Sequence, residues 1–235
     1  MMSPKPIKPA QHAESFLLSA ILQGDYPPGS AIPAERELSE KIGVTRPTLR
    51  EALQRMARDG WLDIRHGKST IVRDYRNEGG MGVIAAMTRL ADRLPSDFIS
   101  HFLGVRAVLL PAISKMATDN RPQTFEACLA LSQHLADTPE AFAEYDWHLQ
   151  LETAACSGNP FFRVILNDFA AMYSEWGLRY FQARQARLLS TEYYTTLLQL
   201  VRKRDGVAVE ARVRQTLTEV TTLWKSLLDA SEDEA

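Results

Sequence analysis

Arg46, Arg50 and Gln54 stand four residues apart, so any helix that holds them sets all three along one side. These side chains read base edges: arginine donates bidentately to guanine, and glutamine pairs bidentately with adenine. Thr45 and Thr48, at the start of the same run, can bond a phosphate or meet a thymine edge. A second polar group, His66-Gly67-Lys68, combines a turn-forming glycine with basic side chains of the kind that clamp a phosphate backbone or enter a minor groove. The same residues would also serve as a solvated face, with Arg50 paired to Glu51 or Glu37. The elements that hold them therefore decide.

Those elements can be read from spacing. Phe16, Leu17, Ala20 and Ile21 follow helical periodicity and stop at Gln23-Gly24, before the turn sequence YPPG. Pro33 stands where a helix can begin without losing a hydrogen bond, and Ala34, Leu38 and Ile42 form a stripe that Gly43 ends. Thr45 can cap a third helix by accepting from the N–H of Thr48, with Leu49, Ala52, Leu53 and Met56 as its buried face. Two short helices joined through Gly43-Val44 make a helix-turn-helix at about 35–54. After Asp59-Gly60, the β-rich runs WLDIR and STIVRDY flank His66-Gly67-Lys68, which predicts a hairpin at about 61–74 and completes a winged helix-turn-helix.

Composition agrees once it is divided. The 235 residues carry a net charge of −2, which by itself argues against a nucleic-acid partner. Cut after Asn77, the first part holds 12 basic and 9 acidic residues, net +3, and the rest is net −5. The cut falls in RDYRNEGGMG, which reads as a linker between a DNA-binding domain over 1–77 and a second domain over 78–235. The opening MMSPKPIKPAQHA has no apolar core of the kind a secretory signal needs, so a cytoplasmic protein is expected. The most apolar stretch, Phe98 to Met116, is interrupted by His101, Arg106, Pro111 and Lys115, which argues against a lipid-facing span and a membrane partner. Cys128 and Cys156 read as reduced core thiols.

The acidic part is helical throughout. Seven helices are predicted: Val83 to Leu94, Ser96 to Thr118, Thr124 to Leu135, Pro139 to Ala155, Pro160 to Gln182, Ala186 to Arg204 and Val207 to Ala230. The fold class is thus mainly α, a winged helix-turn-helix followed by an all-α seven-helix bundle able to enclose a pocket. Its aromatics, among them Tyr173, Trp176, Tyr180, Tyr194 and Trp224, suit a core as well as a channel. No Ser/His/Asp or Cys/His set with recognisable spacing appears, so no catalytic residue is assigned and no enzyme is expected.

The run PPGSAIPAERELSEKIGVTRPTLREALQRMARDGWLDIRHGKSTIV resembles the DNA-binding domain of the GntR family of bacterial transcription regulators. ERELSE, IGVTR, TLRE, LQR, ARDGWL and HGK occur in the order of its FadR group, and ACSGNP, RYF and Trp224 extend the likeness along the chain. The resemblance implies operator contacts at Arg36, Thr45, Arg46, Thr48, Arg50, His66, Gly67 and Lys68, with Pro47 departing from an expected threonine. It implies a homodimer on palindromic double-stranded DNA, repressing fatty-acid degradation genes and activating unsaturated fatty-acid synthesis. Long-chain fatty acyl-CoA would be the effector that releases DNA, and no cofactor is implied.

Many relatives of this domain class hold a metal through an Asp, a His one turn later and two further histidines. Here Asp146 is followed by Gln150 and no histidine comes after His148, so no metal is expected. The group's ligand pattern falls on Arg106, Asp146, Tyr180, Tyr194, Glu219 and Trp224. Two positions depart, Leu217 in place of a glycine and Val220 in place of a serine, so that another carboxylate or organic acid stands as the alternative effector.

Overall fold

The computed structural model describes residues 8–65, 67–90 and 96–233, and the chain divides into two compact units, Met1–Leu94 and Pro95–Ala235. In the first unit α1 (Pro9–Gln23) and α2 (Glu35–Ile42) each end on a glycine in the left-handed region, Gly24 at φ 88° and Gly43 at φ 76°, the conformation that closes a helix at little cost only for glycine. The Thr45 hydroxyl accepts from the Thr48 N–H at 3.4 Å and starts α3 (Arg46–Arg58). Leu38, Leu49, Leu53 and Met56 pack with Leu17 and Ile21 of α1 in one core.

The wing is smaller than its sequence suggests. Only β1 (Leu62–Asp63) and β2 (Ile71–Val72) pair, antiparallel, with Leu62 opposite Val72. The other edge of β2 is taken by the segment before α2: Val72 N–H donates to Ser30 O at 2.9 Å and Ile32 N–H to Thr70 O at 3.0 Å. Trp61, fully buried, lies with its ring centroid 4.7 Å from that of Tyr75 and closes the core beneath the sheet.

Two short helices follow, α4 (Tyr75–Glu78) and α5 (Met81–Thr88), and Val83, Ala86 and Leu90 join the first core. The sequence reading assigns this stretch to the second domain, across a linker at Gly79-Gly80. At Gly79 and Gly82 the backbone runs close to its neighbours: a Cβ on Gly79 would collide with Tyr75 O, and one on Gly82 would lie 3.0 Å from the Asp59 backbone. Buried Glu14 of α1 accepts from Arg89 Nη2 at 2.8 Å, and Arg89 also reaches Asp59 at 3.2 Å, which ties α1, α3 and the end of α5 together.

The second unit is all α: α6 (Ser96–Asn120), α7 (Pro122–Ala130) running into a 3-10 turn (Leu131–His134), α8 (Pro139–Cys156), α9 (Pro160–Asn167), α10 (Ala170–Gln182), α11 (Arg184–Arg202) and α12 (Gly206–Asp233). Thr138 and Asn159 cap α8 and α9, accepting from Ala141 and Phe161 N–H, with proline at each first turn. Among the described residues of this unit there are seven helices, but not the seven predicted. The first of those belongs to the other unit, and the helix expected over 160–182 breaks at Asp168-Phe169. Phe169 is drawn into the core against Phe102, ring centroids 4.8 Å apart, and this tertiary contact bends the chain.

α6 and α12 run antiparallel, Gly206 lying against Lys115 and Asp119. Over Phe98–Asn120 α6 has a mean hydropathy of 1.3 and is long enough to cross a bilayer. Its Ile99, Leu103, Leu110, Ile113 and Ala117 nevertheless enter the core of this unit.

Candidate functional site

On the first unit, α3 presents Arg46, Arg50 and Gln54 on its exposed side, as their spacing requires. Arg46 makes no ion pair among the described residues. Arg50 Nε, in contrast, donates to Glu35 Oε2 at 2.7 Å, a partner on α2 different from the Glu51 or Glu37 that the spacing suggests. Thr45 and Thr48 hydroxyls lie 2.8 Å apart at the helix start, and Arg36 is exposed on α2. In the wing, Gly67 takes φ 72° and Lys68 is exposed, its N–H donating to Arg65 O at 3.2 Å, while His66 lies outside the described residues. The N-terminus of α3 with Arg46 and Arg50, and Lys68 at the wing tip, are each exposed and able to donate to phosphates and base edges.

The second unit encloses a cavity of about 90 Å³ between α6, α8, α10, α11 and α12. Arg106, Asp146, Tyr180 and Trp224 line it, as do Leu217 and Val220, the two departures. Arg106 sets its guanidinium over the Tyr173 ring at 5.4 Å. The Trp224 ring stands 5.6 Å from those of both Trp176 and Tyr180. Five lining atoms are buried with no hydrogen-bond partner among the described residues: Arg106 Nε, Trp176 Nε1, Tyr180 Oη, Thr216 Oγ1 and Trp224 Nε1. The guanidinium and indole nitrogens can only donate, so the set favours an acceptor such as a carbonyl, carboxylate or phosphate oxygen. A buried donor without a partner costs about 1–3 kcal/mol, so an acceptor placed here gains correspondingly.

Asp146 is held as an acceptor. Oδ1 accepts from Tyr194 OH at 2.6 Å, while Oδ2 accepts from Gln150 Nε2 at 2.7 Å and from Tyr173 OH. Gln150 also donates to the Tyr173 oxygen at 2.8 Å. Burial, and then the Asp146 charge, raises both phenols well above their usual range, so they remain donors. Tyr194 therefore belongs to the site through Asp146 and does not line the cavity. Glu219 does neither: it accepts from Gln215 at 2.8 Å and faces Arg212 at 4.0 Å on its own helix.

Sequence reasoning left Thr216 unmentioned and named Tyr173 and Trp176 only among aromatics that suit a core as well as a channel. Those two stand in the aromatic run of α10 with nothing local to single them out, whereas Gln150, one turn after Asp146, could have been named as its partner. Burial pushes the Cys128 thiol up to about 11, so it is inert at neutral pH.

A winged helix-turn-helix with an open basic face, carried by the same chain as an all-α unit around a donor-lined cavity, defines a transcription regulator built from a DNA-binding and a ligand-binding domain. The chain belongs to the GntR family of bacterial regulatory proteins, which residues 9–72 match, and residues 73–234 match the FadR C-terminal domain. It is 40% identical over 222 residues to the fatty acid metabolism regulator protein of Shewanella pealeana, covering 94% of this chain and 92% of that one. The protein of the same name from Shewanella oneidensis is 40% identical over 224 residues, with the same coverage. Among solved structures, Lar, described as controlling expression of the Listeria monocytogenes agr system, is similar at a TM-score of 0.55 and 15% identity. That match covers 93% of this chain and 97% of Lar.

Proposed function

We propose that this protein is a cytoplasmic, homodimeric regulator of fatty-acid metabolism that binds a palindromic operator and is released from it by a fatty acyl-CoA. The observation that carries the effector half is the cavity in which five polar atoms, without partners among the described residues, stand beside an apolar wall. A thioester offers both what that wall and those donors require, an apolar chain and a carbonyl acceptor. Arg106 supplies positive charge in a domain whose sequence is net acidic. The names of the Shewanella relatives support the metabolic assignment, and repression of fatty-acid degradation genes with activation of unsaturated fatty-acid synthesis is the pattern the family resemblance implies. The chain acts by binding, not by turnover. For DNA, a dimer sets two α3 helices about one turn of duplex apart, the geometry a palindrome reads.

The test is a mobility-shift titration on a palindromic operator selected from randomised duplexes, with and without acyl-CoA. Near-complete release requires the ligand to favour the DNA-incompetent state by about 5.5 kcal/mol. Stabilisation by small carboxylic acids, with no response to acyl-CoA, would move the effector to the alternative class.

Two variants separate the parts. Lys68→Ala should weaken operator and random DNA alike, by about 1 kcal/mol, because a wing lysine on a phosphate carries no sequence information. A loss confined to the operator would show that the wing reads bases. Trp224→Ala should lower acyl-CoA affinity at least tenfold while operator affinity without ligand stays at the wild-type value. Unchanged release would remove Trp224 from the ligand site.

A further inference from the structure

We propose that Leu217, with Val220 on the next turn, sets the length of the acyl chain the cavity accepts, and that this protein favours medium-length chains over long ones. The proposal rests on the acyl-CoA reading above and narrows it. α12 presents Val213, Thr216, Leu217, Val220 and Trp224 to the cavity, a single stripe at helical spacing. Its polar members are Thr216 and Trp224, and its apolar members, Val220, Leu217 and Val213, follow Trp224 in turn along the helix. At 1.5 Å per residue, Val220 lies about 6 Å and Leu217 about 10 Å along the helix from Trp224. A chain whose carbonyl is held by the Trp224 and Tyr180 donors and that runs along this stripe meets the Leu217 side chain at that depth.

Leu217 is large enough to matter there. It is 6% exposed and borders a cavity of about 90 Å³, where pockets for drug-sized ligands run to about 300–1,000 Å³. Truncating Leu217 to alanine removes three buried carbon atoms from the cavity wall and widens a space that is small to begin with. Other bulky walls are fixed by partners of their own, Phe102 against Phe169 and Phe181 against Phe142. Of the two apolar obstructions on the path Leu217 is the larger.

The test uses full-length protein and dissociation constants for octanoyl-, lauroyl- and palmitoyl-CoA. Each buried methylene strengthens binding about fourfold while there is room for it. In the wild type this gain should end before palmitoyl. In Leu217→Ala it should continue, raising the ratio of palmitoyl to octanoyl affinity at least tenfold. Leu217→Met keeps the buried volume with a more flexible side chain, so it should shift the profile the same way by less even if the alanine variant does not fold. Val220→Leu should weaken lauroyl-CoA more than octanoyl-CoA. A wild-type affinity that climbs through palmitoyl, or one profile shared by wild type and all variants, would overturn the assignment to Leu217 and leave the acyl-CoA reading standing. Failure of every acyl-CoA to bind the wild type would instead sink that reading and this one with it.

Discussion

Arg46→Ala should weaken operator binding by about 1–3 kcal/mol at each half-site, on the order of thirtyfold to ten-thousandfold for a dimer, while binding to random duplex changes far less. The two titrations, run side by side, check this. Arg46 is the first residue of α3, exposed, and makes no ion pair among the described residues, so its donors are available without breaking another contact. A positive charge at a helix N-terminus is unfavourable, so removing it should not unfold the domain, and a loss of affinity cannot be blamed on stability. Arg50 differs, because Glu35 holds its Nε at 2.7 Å. An exposed pair of this kind is worth about 0–1 kcal/mol, which Arg50 must give up to reach DNA. Arg50→Ala should therefore cost less than Arg46→Ala, and Glu35→Gln should raise operator affinity by up to about fivefold per half-site. Equal losses for Arg46→Ala on operator and random DNA would refute the base-reading role.

The helix-turn-helix is legible because each of its signals is local. Gly24 and Gly43 stop helices, Thr45 starts one, and the stripes of α2 and α3 fall within a few turns. The wing is less legible, since the edge of β2 pairs with residues 29–32, about forty positions upstream, where YPPGSAI shows no strand alternation. Gly79 is ambiguous because steric crowding at a close approach and freedom in a linker both select glycine. Phe169 looks like one more residue of a continuous helix until Phe102 meets it from α6.

The cavity divides in the same way. At 100° per residue Val213, Thr216, Leu217, Val220 and Trp224 share one arc of α12 and Glu219 falls outside it, so the helical wheel alone separates Glu219 from that wall. The convergence on Asp146 is another matter. Tyr173 and Tyr194 arrive from α10 and α11, 27 and 48 residues away, and a periodicity within one helix cannot record such a meeting.

That convergence leads to the second large effect. Asp146→Ala should lower the stability of the second unit by about 2–6 kcal/mol, because the Tyr173 and Tyr194 hydroxyls would each lose a buried acceptor at about 1–3 kcal/mol apiece. Calorimetric unfolding should show its transition falling by about 5–20 °C. Asp146→Asn separates the causes. The asparagine carbonyl can still accept from Tyr194, and Gln150 can turn its amide so that its oxygen accepts from Tyr173 and from the new amide group. Both tyrosine hydroxyls then keep an acceptor although the charge is gone, so Asp146→Asn should cost less than Asp146→Ala. Equal destabilisation by the two substitutions would mean that the carboxylate charge holds the cluster together, not its pattern of acceptors.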